Sequence, residues 1–227
     1  MGEILRFSKD CEIVRKLCTA DGQLDKLVDI IGELSLTLQE NYFEALVRQM
    51  IGQQLSVKVA TTIWRRVMSL CPRITPDGLF AIPEDEFRKA GVSGRKTDYI
   101  KGFSEKVMLD EIQLEELSCL TDQEVMDRLI KIKGIGLWTA EMFLIFSLGR
   151  LNVQSLGDVG LQRAYRWLYN LDKSEIVNKE TVVLAQAFTR WDPYNTVASL
   201  FLWEAVNEGY VDYYHSLDDL IRQENRQ

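Results

Sequence analysis

At 227 residues, with 46% hydrophobic, 10% aromatic and 27% charged residues, the chain can bury a sizeable core as one domain or two small helical lobes, without disulfides or metals. A formal charge of −7 counts against broad attraction to nucleic acid, so any such binding must rest on a local set of basic groups and backbone donors. The single histidine, His215, removes most Ser-His-Asp, Cys-His and multi-histidine metal chemistries and leaves acid-base work to carboxylates.

Cys11, Cys18, Cys71 and Cys119 are scattered, with no C-x-x-C pair and no secretory leader before them, which predicts an intracellular, reduced protein. Glu141 interrupts the best apolar run and Arg150 ends it, short of the ~20 residues a membrane span needs, so no membrane partner is expected. Along the chain, apolar residues recur at helical spacing: Leu24, Leu27, Val28 and Ile31, then Phe43, Leu46, Val47 and Met50, then Val59, Ile63, Val67 and Leu70. Strand-like alternation is nearly absent. The pattern predicts helices near 9–18, 24–34, 41–54, 57–70, 83–90, 95–108, 122–131, 138–148, 159–170 and 193–207, with another near 175–187. Thr121-Asp122-Gln123-Glu124 reads as a capping box, Pro83 and Pro193 suit first helical positions, and Gly91 and Gly149 follow helical runs. No repeat or low-complexity tract interrupts the series.

The segment Lys131-Ile132-Lys133-Gly134-Ile135-Gly136-Leu137-Trp138-Thr139 joins two of these helices through a short Gly-x-Gly turn. Glycine lets the backbone turn sharply and leaves the first N–H groups of the next helix bare, so a phosphate oxygen can meet them at the positive end of the helix dipole. Alone, such a turn is as readily a tight helix connection that binds nothing. A dinucleotide site is excluded because the third glycine is missing and a helix precedes the turn, and Gly91-Val92-Ser93-Gly94-Arg95-Lys96-Thr97 lacks the Walker spacing. A helix from Trp138 to Leu148 climbs about 15 Å, and the nine residues after it are enough to return that distance, so Asp158 can lie beside the hairpin helix. Within Leu156-Gly157-Asp158-Val159-Gly160-Leu161 this aspartate also stands where a helix starts, as an N-cap facing the positive end of the dipole.

The hairpin, with Asp158 twenty residues beyond Trp138, resembles the signature of the helix-hairpin-helix DNA glycosylases. Leu46-Val47-Arg48-Gln49-Met50-Ile51-Gly52-Gln53-Gln54-Leu55-Ser56 is similar to that family's DNA-wedge segment, and Arg190-Trp191-Asp192-Pro193-Tyr194 with Ala198 and Trp203 to its C-terminal block. From about residue 41 to 207 the order and spacing resemble the 3-methyladenine DNA glycosylase II (AlkA-like) branch. Two positions depart from the family pattern: Lys133 stands where proline is usual, and Asn195 where arginine is frequent.

The resemblance implies an all-α, two-lobed fold with the active-site cleft between lobes and without the N-terminal β-domain of larger relatives. It divides the chain into a terminal lobe, 1–40 with 159–227, and a central lobe, 41–158, that contains the hairpin. It further implies a base excision repair glycosylase that hydrolyses the N-glycosidic bond of alkylated purines, of the 3-methyladenine and 7-methylguanine type, flipped out of duplex DNA. Asp158 would be catalytic, activating water or stabilising oxocarbenium charge. Trp138 stands where the bifunctional glycosylase/lyases carry a Schiff-base lysine, and an indole forms no imine, so the enzyme is expected to be monofunctional.

The other expected roles follow from the same resemblance. Trp138, Trp203, Gln53 and Met142 would line the base pocket, although a core role for the tryptophans and a backbone-satisfying role for Gln53 stay open; Phe43 and Trp191 go to the core. Gln54 and Leu55 would be the wedge, while Lys133, Gly134, Gly136 and Thr139 would hold phosphate. Carbonyls of Ile130, Ile132 and Ile135 can hold a sodium or potassium ion. No cofactor is expected otherwise, and no iron-sulfur cluster, because no cysteine follows Cys119. The partner would be damaged duplex DNA bound by a monomer, in the cytoplasmic nucleoid of a prokaryote or the nucleus of a eukaryote. Two alternatives remain open: a glycosylase of this fold aimed at uracil, a deaminated purine or an oxidised base, and a non-catalytic helix-hairpin-helix DNA-binding module.

Overall fold

The computed structural model describes residues 2–71, 73–171 and 180–224 and is mostly helical, as the periodicity predicts. In chain order the elements are β1 (Ile4–Phe7), α1 (Glu12–Ala20), α2 (Gly22–Ile31), β2 (Leu34–Thr37), α3 (Tyr42–Gly52), α4 (Val57–Leu70), α5 (Pro76–Ala81), α6 (Glu84–Ala90) and α7 (Gly94–Met108). A 3₁₀ turn (Glu115–Cys119) leads to α8 (Asp122–Leu129), α9 (Leu137–Phe146) and α10 (Val159–Leu168). Then come α11 (Glu180–Trp191), α12 (Asn195–Asn207), α13 (Tyr210–Tyr213) and α14 (Leu217–Glu224). The helix expected near 175–187 lies partly outside the described residues, and its described part extends to Trp191.

Punctuation residues explain most boundaries. Thr121 forms the expected capping box with Glu124, and Gly91 ends α6 in the left-handed region. Gly32, at φ +76°, stops α2 at Ile31, three residues earlier than apolar spacing alone suggests. Neither proline occupies a first helical position: Pro83 is the N-cap of α6, and Pro193 precedes Tyr194, the N-cap of α12. Two strands were not expected. They pair antiparallel, Ile4 opposite Thr37 and Phe7 opposite Leu34, and at four residues each they are too short to show an alternation distinct from the helical background.

The chain forms two compact units, one from Gln39–Leu148 and the other from Glu3–Leu38 with the described residues from Gly149 onward. The division therefore falls after Leu148 and not after the expected residue 158. The cause is a set of hydrogen bonds that ties the segment after α9 to the start of α12. The Thr196 amide donates to the Leu151 carbonyl at 3.0 Å, and its hydroxyl donates to the Arg150 carbonyl at 2.7 Å while accepting from the Val153 amide at 3.0 Å. Asn195, where the family pattern favours arginine, is wholly buried and donates to Asn152 Oδ1 at 2.6 Å, which makes it a packing residue of this knot.

In the unit holding α3–α9, Phe43, Leu46, Val47 and Met50 of α3 are buried, and Phe43 stacks on Phe103 of α7 with ring centroids 5.2 Å apart. In the other unit, Asp21 is the polar centre of a buried knot. It caps α2 through the Gln23 and Leu24 amides and accepts from Trp191 Nε1 at 2.9 Å, Arg190 Nη1 at 3.0 Å and the Tyr169 hydroxyl. Trp191 is fully buried, the core role expected of it.

Candidate active site

In the α3–α9 unit, the turn between α8 and α9 has the expected form. Ile132 and Ile135 are buried anchors, and the Ile135 amide donates to the Ile132 carbonyl at 3.0 Å. The two glycines do different work. Gly134 has φ +93°, and a Cβ there would sit 2.5 Å from Tyr99 Cδ2, so both its backbone conformation and its packing against α7 demand glycine. Gly136, the N-cap of α9, has φ −96°, and a Cβ there would meet nothing within 4 Å. The fold does not need glycine at 136; its missing side chain leaves open space in front of an N-terminus that lacks a side-chain cap. Lys133 is exposed beside it, and the first turn of α9 carries no acidic residue, so the helix end attracts anions.

Thr139, expected at phosphate, turns its side chain inward: it is 2% exposed and its hydroxyl accepts from Gln53 Nε2 at 3.1 Å, so only its backbone amide in the first turn of α9 is placed for an anion. The same Gln53 nitrogen donates to the Gly134 carbonyl at 2.8 Å. The backbone-satisfying role of Gln53 is thus the one its amide nitrogen fills, and it joins the end of α3 to the hairpin. Gln54 and Leu55 follow it in an exposed turn in which Gln54 takes φ +59°, and Ser56 caps α4. Ile130 is exposed. On α9, the face shared by Trp138, Met142 and Ile145 runs from surface to core: Met142 and Ile145 are buried, whereas Trp138 is 42% exposed. An indole that open is not a core residue.

In the other unit, Asp158 is the N-cap of α10, as its sequence context predicts. Its Oδ1 accepts the Leu161 amide at 2.8 Å and the Trp203 indole N–H at 3.3 Å, with the residue 8% exposed. Trp203, half-buried in the middle of α12, is therefore a partner of the carboxylate, a role the sequence reading did not assign. That reading also missed Gly160. A Cβ at this position would lie 3.1 Å from Asp158 Oδ1 and 3.9 Å from Trp203 Cδ1, so glycine in the first turn of α10 keeps both groups in place. The available signal was glycine at a helical position, where it costs about 1 kcal/mol relative to alanine.

A low-exposure carboxylate held by an amide and an indole N–H, at the positive end of a ten-residue helix, is suited to stabilising positive charge or polarising water. A separate helix N-terminus without a side-chain cap, behind a Gly-x-Gly turn, is suited to phosphate. Each unit thus carries one of the two features, the hairpin in one and the capping carboxylate in the other.

The model of the HhH-GPD superfamily of base excision DNA repair proteins matches residues 47–187. DNA-3-methyladenine glycosylase 1 of Schizosaccharomyces pombe is 34% identical over 215 residues, which cover 85% of this chain and 89% of the relative. Among solved structures, DNA-3-methyladenine glycosidase from Bacillus halodurans superimposes with a TM-score of 0.80 at 39% identity, covering 96% of this chain and 99% of that one. The S. pombe 3-methyladenine DNA glycosylase in complex with abasic DNA gives 0.76 at 30% identity, covering 87% and 97%. The chain belongs to the HhH-GPD superfamily of base excision DNA repair proteins, the family its hairpin and aspartate resemble.

Proposed function

We propose that this protein is a monofunctional DNA glycosylase that hydrolyses the N-glycosidic bond of alkylated purines, of the 3-methyladenine and 7-methylguanine type, in duplex DNA. The carrying observation is Asp158, a helix-capping carboxylate of low exposure braced by Trp203. The relatives named for 3-methyladenine support the substrate class.

A base must leave the stack before its glycosidic bond is reached, at a cost of a few kcal/mol that is lowest for damaged or mispaired bases. Gln54 and Leu55, exposed on their turn, are the wedge that fills the gap. Trp138 offers an open aromatic face, and an N-alkylated purine is cationic, so stacking gains about 1–2 kcal/mol when desolvated. The cationic base is already a good leaving group: the glycosidic electron pair departs with it as positive charge grows on the sugar. Asp158 stabilises that charge and takes the proton of the attacking water, and the product is an abasic site in an intact strand. Trp138 carries no amine to form an imine. Lys133 and the amides at the head of α9 hold the DNA backbone. Carbonyls of Ile130, Ile132 and Ile135 are hard neutral donors of the kind alkali cations take and would hold a sodium or potassium ion, which would supply positive charge for a phosphate; the Ile132 carbonyl keeps a second lone pair beyond its bond to the Ile135 amide. The chemistry asks for no other cofactor, and the protein acts as a monomer in the cell compartment that holds DNA.

Purified protein challenged with duplexes carrying 3-methyladenine, 7-methylguanine, hypoxanthine, uracil and 8-oxoguanine should release the alkylated purines. Asp158→Asn should lose nearly all release while holding DNA as well as the wild type or better. Unchanged release would remove Asp158 from the chemistry, and a wild type that binds duplexes but releases no base would make the chain a binding module.

A further inference from the structure

Lys96 is a half-buried lysine in the first turn of α7. Its Nζ donates to the Ile51 carbonyl at 2.8 Å and the Gln53 carbonyl at 2.7 Å. These carbonyls lie at the C-terminal end of α3, where the last groups have no intrahelical partner and the dipole is negative, so an ammonium there is bonded and electrostatically favoured. Burial lowers the pKa of this amine, as it does for an ammonium taken out of water. With two carbonyls at its Nζ, Lys96 is an internal clamp and not a phosphate ligand.

Two features show what is clamped. Directly after Gln53, Gln54 adopts φ +59°, a left-handed conformation that is unfavourable for a non-glycine residue and persists only where its surroundings impose it. Gln53 itself reaches the hairpin, through the Gly134 carbonyl at 2.8 Å and the Thr139 hydroxyl at 3.1 Å. One turn further along α7, the Tyr99 ring closes against the Cα of Gly134. The first two turns of α7 thus grip both the turn that carries Gln54 and Leu55 and the hairpin that faces phosphate.

We propose that Lys96 is a positioning residue that fixes the wedge turn, Gly52–Ser56, in register with the hairpin, so that base extrusion and backbone grip act as one rigid piece. This rests on the glycosylase reading for the roles of those two segments. The geometry of the clamp stands apart from it. Lys96→Met keeps the aliphatic stem and removes both hydrogen bonds. In hydrogen exchange of the ligand-free full chain, the hydrogen-bonded amides of Gln53 and Leu55 in the turn and of Ile135 in the hairpin should exchange about ten- to a hundredfold faster in this variant, the factor expected for losing charged hydrogen bonds, with amides of α1 and α2 unchanged.

In single-turnover excision of a methylated purine, Lys96→Met should be slowed at least about tenfold on a paired lesion and far less on a mispaired one, where extrusion is already cheap. Lys96→Arg, which keeps charge and donors, should recover most of the paired-lesion rate. Unchanged exchange in the hairpin would overturn the clamp, as would equal slowing on both substrates. Should Lys96→Met fail to fold, Lys96→Gln takes the same two measurements. A wild type that releases no base from any lesion refutes the glycosylase reading, and the exchange experiment then decides the clamp by itself.

Discussion

The two glycines of the hairpin predict opposite outcomes for the same substitution. Gly134→Ala places a methyl 2.5 Å from Tyr99 Cδ2, 2.7 Å from Cγ and 2.9 Å from Cβ, on a backbone at φ +93°. The left-handed conformation costs an alanine about 1–2 kcal/mol, and forcing a methyl into a packed contact costs about 1–3 kcal/mol, so the variant should lose about 2–5 kcal/mol. For a chain of this size that is a fall in melting temperature of about 5–15 °C. Gly136→Ala meets nothing within 4 Å at φ −96°; the reduced entropy of the unfolded chain, about 0.4–1 kcal/mol, is offset by alanine's poorer fit at an N-cap, so stability should stay within about 1 kcal/mol of wild type. Its methyl nevertheless stands in front of the first-turn amides of α9 and should weaken duplex binding at least about tenfold. Thermal melts and fluorescence anisotropy with a labelled duplex separate the two effects. Tyr99→Ala in the Gly134→Ala background should return part of the lost stability. A Gly134→Ala protein that melts within about 1 °C of wild type, or a Gly136→Ala protein that binds DNA normally, would refute the division of labour drawn between these glycines.

Asp158→Ala should lose base release like Asp158→Asn, but also about 0.5–2 kcal/mol of stability, because alanine cannot cap α10 and asparagine can; urea titration of the pair checks this. Asp21→Ala removes the acceptor shared by Tyr169, Trp191 and Arg190, leaving the buried Trp191 N–H unpaired and α2 uncapped, and should cost about 2–4 kcal/mol. Burial pushes the Asp21 carboxyl up, but hydrogen bonds from Tyr169, Trp191, the Leu24 amide and Arg190 outweigh it and hold the group below its ordinary value. A depressed folded pKa means stability present above the unfolded value, about 4, and lost as pH falls through the folded one. Denaturation midpoints should therefore drop more steeply below about pH 4 in wild type than in Asp21→Asn. Borohydride treatment during turnover should trap no protein–DNA adduct, since Trp138 occupies the lysine position of the lyases; a trapped adduct would show that another amine attacks the sugar.

Helices and their ends were legible in the sequence because the information is local. Apolar spacing places the helices, Thr121 with Glu124 and Gly91 mark ends, and Asp158 stands one residue before a helix whose amide it caps. The hairpin was legible for the same reason, as was the family, because twenty residues between Trp138 and Asp158 is a spacing the chain itself carries. Short elements escaped: β1 and β2, at four residues each, α5 at six and α13 at four hold too few residues for a period to emerge.

Which group faces which could be decided only by tertiary structure, since each such contact joins residues far apart in the chain. The Thr196 hydrogen bonds draw residues 150–153, and with them Asp158, into the terminal unit. Trp203, 45 residues beyond Asp158, becomes its hydrogen-bond partner, and Gln53, 86 residues before Thr139, turns that hydroxyl away from solvent. Sequence spacing tells two glycines that both permit a turn. Only packing against Tyr99 tells that Gly134 serves the fold and that Gly136 leaves room for something else.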